Sequence, residues 1–431
     1  MSPGAPSRQR EYWSFYWPLA LTGAVGVIAT QVQNGVLARY EDAVTELAVF
    51  ALAQSVFGLF NAALNFTPQL ATQFARGPAA RGRTLAFVLT VATAFAAIVA
   101  TVGVAGDALL EAAFGIEPAM RARVDAYLVL LGPVLLLNGW RLFQVGLLVQ
   151  ARRTGRVTLL NTLYLGTVVA VLVAGFAAGA PATGTLVGAQ AIAAAAHGAV
   201  GTVLVRSLPG GPAEPAPTVR RLLAFFLPVA TTGVMFALSR PVLYAFVARM
   251  PDGLTSIAAL RVGFDFTFLF QQASNQFRHF FVAFGLDDLP GKRRFMGAVT
   301  AGITGLMLAV AATPLGDLVL RHGLGVRGAV LDRALDVILV MTGLPVVIIV
   351  RNYFHGILMV RERTGGMAVG GVLRVGGIAG LAALTSAAGW LDHVVAAWIL
   401  LAGFAVETGV VGLRVRGVRR ADRIAAASVP T

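Results

Sequence analysis

The chain has 431 residues, of which 57% are hydrophobic and only 13% are charged, and its mean hydropathy is +0.77. A soluble chain of this length needs far more polar surface, so these values exclude a soluble globular protein. The net charge of +14 would suggest nucleic acid as the partner of a soluble protein. In a membrane protein it has another explanation, given below, and we expect no nucleic-acid partner.

Apolar stretches of about 20 residues recur along the chain, and this is the length a helix needs to cross about 30 Å of hydrocarbon. The twelve stretches cover residues 17–38, 44–64, 84–104, 126–149, 157–178, 185–205, 227–248, 254–274, 295–313, 336–360, 366–387 and 393–413. They are apolar on all sides, whereas the strands of a membrane barrel alternate. We therefore predict an all-α integral membrane protein with twelve transmembrane helices.

The basic residues alternate between the two ends of these spans. If the N-terminus lies inside, the inner segments hold 21 of the 34 Lys and Arg residues and the outer loops hold 7. This asymmetry follows the positive-inside rule. It predicts a multi-pass protein of the cell membrane with both termini in the cytoplasm. The first span has no small-residue cleavage site, which favours a mature helix over a signal peptide.

An internal repeat with an offset of 210 residues runs through the chain. "WPLALTG" at Trp17–Gly23 is followed by "LPVATTG" at Leu227–Gly233, and "RTG" at Arg153–Gly155 by the same letters at Arg363–Gly365. The same offset pairs Arg39 with Arg249, Asn65 with Asn275, Phe74 with Phe284, Arg83 with Arg293, Arg123 with Arg333 and Gly146 with Gly356. A single gapless register across many positions indicates two related halves.

Each half contains six spans, so both halves enter the membrane in the same orientation. They are then related by an axis along the membrane normal, as in transporters with parallel repeats. We predict an N-terminal six-helix lobe at residues 1–206 and a Pro- and Gly-rich cytoplasmic linker at 207–221. A C-terminal six-helix lobe follows at 222–413, and a basic tail at 414–431. Two six-helix lobes related in this way are typical of transporters more than of enzymes or anchors.

Two arginines lie deep inside the predicted spans at equivalent positions of the repeat. Arg141 and Arg351 are 210 residues apart, each about nine residues from a basic cytoplasmic end. Nine residues correspond to about 14 Å of helix, which is too far for simple snorkelling. An arginine at such depth costs about 2.5–3.5 kcal/mol on insertion scales, so we expect both to face the protein interior or a wet cavity.

Other charged residues lie in or near the spans, and the arginines outnumber the acids. The further arginines are Arg240, Arg261, Arg278 and Arg374, and the acids are Glu46, Asp265 and Glu407. Arg261 and Asp265 are four residues apart and can pair on one helix face. The excess of guanidinium groups, which bind phosphate and carboxylate in a bidentate manner, predicts an anion site. The acids are candidates for charge pairing or for coupling to an ion.

Uncharged polar residues also lie in the first two spans. Gln31, Gln33, Asn34 and Asn61 are explained equally well as cavity lining or as interhelical hydrogen-bonding groups. The five histidines show no metal-ligand spacing, and we interpret His279, His322, His355 and His393 as incidental. Asp287 and Asp288 form a lone acidic pair. Since no phosphate-binding loop or catalytic constellation is present, we predict neither an enzyme nor a cofactor or metal.

Five segments occur in the same order as in a known family. They are "EDAVTELAVFALAQS" (Glu41–Ser55), "LSRPVLYAFVAR" (Leu238–Arg249), "VRNYFHGILMVRERT" (Val350–Thr364), "GVLR" (Gly371–Arg374) and "AGFAVETGVV" (Ala402–Val411). Over nearly the whole chain the sequence resembles the progressive ankylosis protein family. That family belongs with the multidrug, oligosaccharidyl-lipid and polysaccharide flippases, which have twelve or more helices in two six-helix lobes.

The resemblance implies export of a small polyanion such as pyrophosphate, ATP or citrate. It carries over Arg240, Arg351, Arg374 and Glu407 as site residues. Arg141 is not clearly shared with the family, so its predicted role depends on the internal repeat. The long acidic cytoplasmic tail of some members is absent here, so any regulation by that tail does not carry over.

The leading hypothesis is an alternating-access exporter of phosphate-bearing or carboxylate anions that acts as a monomer in the lipid bilayer. A cation-coupled multidrug exporter is an alternative, which Glu407 and Asp265 keep open. A lipid-phosphate flippase is another, because arginines suit its headgroup as well. A membrane-embedded enzyme is the least supported, since paired acids are lacking.

Overall fold

The computed structural model describes residues 5–37, 39–40, 43–106, 118–208, 214–247, 249–323, 326 and 328–427. Within these residues the chain forms helices and turns and no β-strand. This confirms the predicted all-α fold class. The repeated apolar runs have no alternation that a sheet could use, and a helix satisfies every backbone polar group within its own segment.

The helices of the first half are α1 (Ala5–Leu37), α2 (Ala43–Leu64), α3 (Thr67–Phe74), α4 (Pro78–Ala105), α5 (Pro118–Gln150), α6 (Thr154–Ala177) and α7 (Ala182–Arg206). Those of the second half are α8 (Val219–Val247), α9 (Gly253–Asn275), α10 (Phe277–Phe284), α11 (Leu289–Ala312), α12 (Ala329–Met341), α13 (Leu344–Val360), α14 (Gly365–Ala387) and α15 (His393–Ala427). A short helical turn (Leu315–Asp317) and one turn of π-helix (Leu318–Gly323) follow α11.

Nine helices in the described part of the chain are long and apolar enough to cross a membrane. They are α4, α5, α6, α7, α8, α11, the joined pair α12–α13, α14 and α15. Large apolar side chains point outward from them; Leu159 of α6 is 59% exposed and Leu384 of α14 is 69% exposed. Such surfaces belong in lipid, because exposed apolar area of this extent is unfavourable in water. The chain is a multi-pass membrane protein.

The helix ends repeat with the offset of 210 found in the sequence. The short helix α3 corresponds to α10 residue for residue. Left-handed backbone recurs as well, at Arg152 (φ 57°) and Glu362 (φ 54°), and at Gly179 (φ 69°) and Gly389 (φ 72°). A left-handed residue just beyond a helix turns the chain so that following N–H groups reach back to the last carbonyls. The repeat is therefore present in the backbone conformation as well as in the amino-acid sequence.

The chain forms two compact units, and each has its own apolar core. The N-terminal unit contains Trp17–Val234, and the C-terminal unit contains the chain up to Tyr16 and from Met235 onward. The bounds of these units differ from those of the predicted lobes 1–206 and 222–413. The start of α1 packs with the second half of the sequence, and the start of α8 packs with the first half.

Aromatic side chains fix the start of α1 in the C-terminal unit. Phe15 packs edge to face on Phe284 of α10 with 5.1 Å between ring centroids, and Tyr16 stacks on Phe277 at 4.5 Å. The Tyr12 hydroxyl donates to Asp288 Oδ2 at 3.0 Å. Burial and this hydrogen bond raise the pKa of Tyr12 to about 12, so the hydroxyl keeps its proton at neutral pH.

The equivalent contact fixes the start of α8 in the N-terminal unit. Phe225 packs edge to face on Phe74 of α3 at 5.2 Å. Phe225 and Phe74 are the repeat mates of Phe15 and Phe284. Each such pair contributes about 0.5–1.5 kcal/mol beyond the area it buries. The two units have thus exchanged the first turns of equivalent helices.

Candidate anion site

Two glycines let the helices of the C-terminal unit approach closely around one buried point. A Cβ on Gly356 of α13 would lie 2.4 Å from the ring of Phe281 on α10, and one on Gly403 of α15 would lie 2.6 Å from Ile378 on α14. Only glycine leaves room for these side chains against its own backbone. The approach brings α10, α13, α14 and α15 together where each carries a polar residue.

Glu407 of α15 lies at the centre of this point and accepts hydrogen bonds from two arginines. Arg351 Nη1 of α13 donates to Glu407 Oε2 at 3.1 Å, and Arg374 Nη1 of α14 donates to the same oxygen. All three side chains are buried; Glu407 and Arg374 are fully inaccessible. Three residues that sequence reasoning singled out separately therefore form one centre. We call it the arginine–glutamate cluster, together with Arg278 described next.

Asn275, at the end of α9, joins a third arginine to the cluster. Its Oδ1 accepts from Arg351 Nη2 at 3.2 Å and from Arg278 Nη2 at 2.8 Å. The neighbour of Arg351 on α13, Asn352, donates to the Ser274 carbonyl at 2.8 Å. The sequence placed Arg278 only in or near a span, and the structure shows that it is buried. For Asn275, the signal in the sequence was its pairing with Asn65 in the internal repeat.

Aromatic rings and a hydroxyl complete the surroundings of the guanidinium groups. The Phe404 ring lies 4.7 Å from the guanidinium carbon of Arg374 and 5.3 Å from that of Arg351. Arg374 Nε donates to Ser239 Oγ of α8 at 3.1 Å. Cation–π contacts of desolvated arginines are worth up to about 2 kcal/mol. The ring of Phe404 therefore lies within cation–π distance of both guanidinium groups.

The cluster carries an excess of positive charge. The guanidinium groups of Arg351 and Arg374 share the single carboxylate of Glu407, so these three side chains together carry one positive charge in excess. Arg351 Nε, Arg374 Nη2 and Glu407 Oε1 are buried without a hydrogen-bond partner in the described residues. Buried charges and donors of this kind are costly unless something pairs with them. The arrangement is suited to an anion with several oxygens.

His355 lies next to the cluster, and its interpretation as incidental stays a prediction. It is fully buried on α13, one turn after Arg351, and its Nε2 is 3.7 Å from Glu407 Oε1. This distance is longer than a hydrogen bond. A histidine near a buried carboxylate can hold or pass a proton. The i, i+4 spacing of Arg351 and His355 on one helix face was the sequence signal.

Arg240, Asp265 and Arg261 form a separate group. Arg240 Nη1 donates to Asp265 Oδ1 at 2.7 Å, and its Nη2 donates to the Phe264 carbonyl at 2.8 Å. The predicted pair of Arg261 and Asp265 is present but long, at 3.9 Å, with side chains 71% and 48% exposed. The carboxylate of Asp265 thus neutralises Arg240. The predicted roles of Arg240 and Arg261 in binding substrate stay predictions.

Arg141 lies in a polar chain within the N-terminal unit. Its Nε donates to Asn138 Oδ1 at 2.6 Å, and Asn138 Nδ2 donates to Asn61 Oδ1 at 3.0 Å. The guanidinium carbon lies 4.7 Å from the centre of the Tyr164 ring. Among the described residues no carboxylate lies within 4 Å of Arg141. Asn61 is therefore an interhelical hydrogen-bonding residue that positions Asn138 beneath the arginine.

The repeat mates of the cluster residues show how the two units differ. Arg351, Arg374 and Glu407 correspond to Arg141, Tyr164 and His197. The N-terminal unit thus keeps one arginine, replaces the second by the tyrosine on which that arginine stacks, and has no acid at the third position. His197 is fully buried, and neither ring nitrogen has a hydrogen-bond partner in the described part of the chain.

The remaining predicted site residues lie elsewhere. Glu46 pairs with Arg123 and accepts from the Tyr127 hydroxyl at 3.1 Å, so it is one half of an ion pair. Gln33 is buried. The side chains of Gln31 and Asn34 lie outside the described residues. In the part of the chain that the structure describes, no group of three or more His, Cys, Asp or Glu residues is placed to hold a metal ion.

Solved structures share this fold over nearly the whole chain. A mutant of the Vibrio cholerae MATE transporter VcmN is 12% identical with a TM-score of 0.76, covering 97% of this chain and 99% of its own. The eukaryotic MATE transporter AtDTX14 is 13% identical with a TM-score of 0.72, covering 96% of both chains. No protein-family model and no curated protein matches the sequence. The fold is that of MATE transporters of the MOP superfamily.

A third solved structure differs in its binding pocket. It is a MOP superfamily transporter from Pyrococcus furiosus, described as having a pocket of reverse polarity that suggests a different function. It is 13% identical with a TM-score of 0.66 and covers 98% of this chain and 97% of its own. At these identities the likeness establishes the fold, and the chemistry must be argued from the residues of this chain.

Proposed function

We propose that this protein is a membrane transporter that exports small polyanions by alternating access, and that the arginine–glutamate cluster binds the anion. The observation that carries this proposal is that two buried guanidinium groups share one buried carboxylate, while each keeps a buried donor without a hydrogen-bond partner in the described residues. The MATE fold supports the transport part of the proposal. The resemblance to the progressive ankylosis family supports pyrophosphate, ATP or citrate as the substrate class.

Glu407 acts in this proposal as the anion that fills the site when substrate is absent. Its Oε2 accepts from both Arg351 and Arg374, and a phosphate or citrate oxygen could bridge the two guanidinium groups in the same way. A substrate with several negative charges offers more acceptor oxygens than one carboxylate. It can therefore bind Arg351 Nε and Arg374 Nη2, the donors that Glu407 leaves without a partner.

Arg141 supplies a second anion contact, within the N-terminal unit. Its guanidinium uses Nε for Asn138 and stacks on Tyr164, which leaves the two terminal nitrogens available for ligand oxygens. Since no acid neutralises it in the described residues, an anion can bind there without displacing a carboxylate. We therefore expect Arg141 to strengthen substrate binding and Arg351 to be essential for it.

The second candidate function is a cation-coupled multidrug exporter. It is favoured by a neighbouring structure that is described as a multidrug resistance MATE transporter. Such a pump needs a carboxylate that is available to a cation. In this chain Glu407 is occupied by two arginines and Asp265 by Arg240. These contacts make the polyanion the better-supported substrate.

Reconstitution into liposomes distinguishes the candidates. Labelled pyrophosphate, ATP, citrate and phosphate would be compared with a cationic dye and a labelled phospholipid, with and without proton or sodium gradients. We expect anion movement that Arg351→Ala abolishes and Arg141→Ala reduces. Arg321→Ala, an exposed arginine that pairs with Asp317 outside the cluster, is the control and should leave transport near the wild-type rate. Movement of the dye alone would support the multidrug function, and movement of the phospholipid alone would support a flippase. Normal anion transport by Arg351→Ala would overturn the proposal.

A further inference from the structure

A second basic cavity, unrelated to the arginine–glutamate cluster, lies in the N-terminal unit. It has a volume of about 300 Å³ and opens between the first turns of α4 and the last turns of α5 and α7. We call it the inner-end pocket and define it by Arg81, Arg206, Leu85, Phe143 and Leu147. The positive-inside distribution predicts that this end of the helices faces the cytoplasm.

The charged side of the pocket consists of arginines alone. Arg81 Nε donates to the Ala75 carbonyl at 3.2 Å, which uses one of the five guanidinium donors. Arg206, in the last turn of α7, is exposed. No residue that lines the pocket is acidic. The α4 N-terminus beside Arg81 has no side-chain cap, so its first N–H groups add to the positive potential.

The other side of the pocket is apolar. Leu85, Phe143 and Leu147 line it; Leu85 is half-buried, and the side chains of Phe143 and Leu147 are buried at the bottom of the pocket. The polar residues of this wall already satisfy each other, because Gln144 Nε2 donates to Thr202 Oγ1 at 3.1 Å. A ligand that fits must therefore be anionic at one end and apolar at the other.

We propose that the inner-end pocket binds an anionic phospholipid of the cytoplasmic leaflet. The headgroup phosphate lies between Arg81 and Arg206, and one acyl chain lies along Leu85, Phe143 and Leu147. Basic pockets between transmembrane helices on the cytoplasmic side are suited to such lipids, because the inner leaflet is rich in negative headgroups. A soluble phosphate would use the arginines but leave the apolar wall empty. This site is independent of the proposed transport function.

Two kinds of variant separate the charge from the shape of the site. The double variant Arg81→Ala/Arg206→Ala removes the headgroup contacts, and Arg83→Ala is its control on an exposed position of the same helix. Gly82→Phe fills the pocket without changing charge; a Cβ at Gly82 meets no atom within 4 Å, so the fold tolerates it. Gly184→Phe, also exposed with no atom within 4 Å, is the control at the other end of α7.

The experiment measures lipid retention by native mass spectrometry after purification from nanodiscs of phosphatidylcholine with or without phosphatidylglycerol. We expect the wild-type protein and both controls to retain phosphatidylglycerol. We expect Arg81→Ala/Arg206→Ala to bind it on the order of tenfold more weakly or worse, since each arginine near an anionic surface contributes about 1 kcal/mol. Gly82→Phe should also lose the lipid.

Three results would overturn the proposal. One is retention of phosphatidylglycerol by the double arginine variant at the wild-type level. Another is an equal loss in Arg83→Ala, which would show a general effect of surface charge. The third is displacement of the lipid by soluble glycerol phosphate at modest concentration, since this would show that the acyl chain contributes nothing.

Discussion

Replacing Glu407 by glutamine tests the charge balance of the arginine–glutamate cluster directly. The amide keeps the shape of the side chain, but it removes the acid that, among the described residues, pairs with both Arg351 and Arg374. Removing one partner of a buried ion pair typically costs 3–5 kcal/mol, because the remaining charge stays buried and unpaired. We therefore expect Glu407→Gln to lower the free energy of unfolding by about 3–5 kcal/mol in the absence of a bound anion.

A polyanion should restore this loss, because it takes the place of the carboxylate. A ligand present at a hundred times its dissociation constant stabilises the folded state by about 2.7 kcal/mol. In the wild-type protein Glu407 competes for the same donors, so we expect a smaller gain at the same concentration. The anion dependence of stability should thus be larger in Glu407→Gln than in the wild-type protein.

The assay is unfolding in detergent micelles, followed by tryptophan fluorescence, with pyrophosphate or with sodium chloride at equal ionic strength. Asp265→Asn is the matched control, because it also removes an acid that pairs with an arginine of the C-terminal unit. Its side chain is 48% exposed, and a pair of this kind contributes about 0–1 kcal/mol. Glu407→Gln with wild-type stability would refute the charge argument. Equal stabilisation of both variants by pyrophosphate would refute binding at the cluster.

Three further predictions follow from the geometry. Arg351→Ala should lower the rate of anion transport at least about tenfold. Arg351→Lys should retain more transport, because lysine keeps the charge although it loses the bidentate fork; equal rates of the two variants at matched protein levels would contradict this. Phe15→Ala and Phe225→Ala should each lower the free energy of unfolding by about 3–5 kcal/mol and by similar amounts, since they make the same contact; a large difference would argue against equivalence. Gly179→Ala and Gly389→Ala should each cost about 1–2 kcal/mol because both glycines have left-handed backbone, and stabilisation by either change, measured in the same assay, would be inconsistent with that conformation.

Much of the fold was predictable because lipid imposes a simple length rule on helices. Twelve apolar runs and one gapless offset led to the correct fold class before any contact was known. The short helices α3 and α10 were not predicted, because a helix of eight residues is too short to cross a bilayer and leaves no apolar run of about 20 residues in the sequence. The exchange of the first turns of α1 and α8 was missed as well. The residues next to a phenylalanine in the sequence do not indicate which half of the chain the phenylalanine contacts.

The site was predictable where a charge interrupts an apolar run. Arg351, Arg374 and Glu407 stood out for that reason, and the structure brings them together. Asn275 and His355 did not stand out in this way. The free-energy cost of burying an uncharged amide or imidazole depends on its neighbours, which the sequence does not give. The contact of Arg351 with Asn275 joins positions 76 residues apart. Only the packing of α9 against α13 reveals it.

The exchanged helix starts also constrain how a chain of this kind can arise from a duplicated half. Phe15 contacts Phe284, and Phe225 contacts Phe74, so each half covers the short helix of the other. In a half-length ancestor with these residues, the short helix would be uncovered unless the start of the first helix of a second copy packed on it. That is a domain-swapped homodimer, in which identical segments are traded between protomers. Fusion of the two copies into one chain would then have preserved the exchange of segments. If the gene were divided at the linker, the two resulting fragments would fold only when both are present.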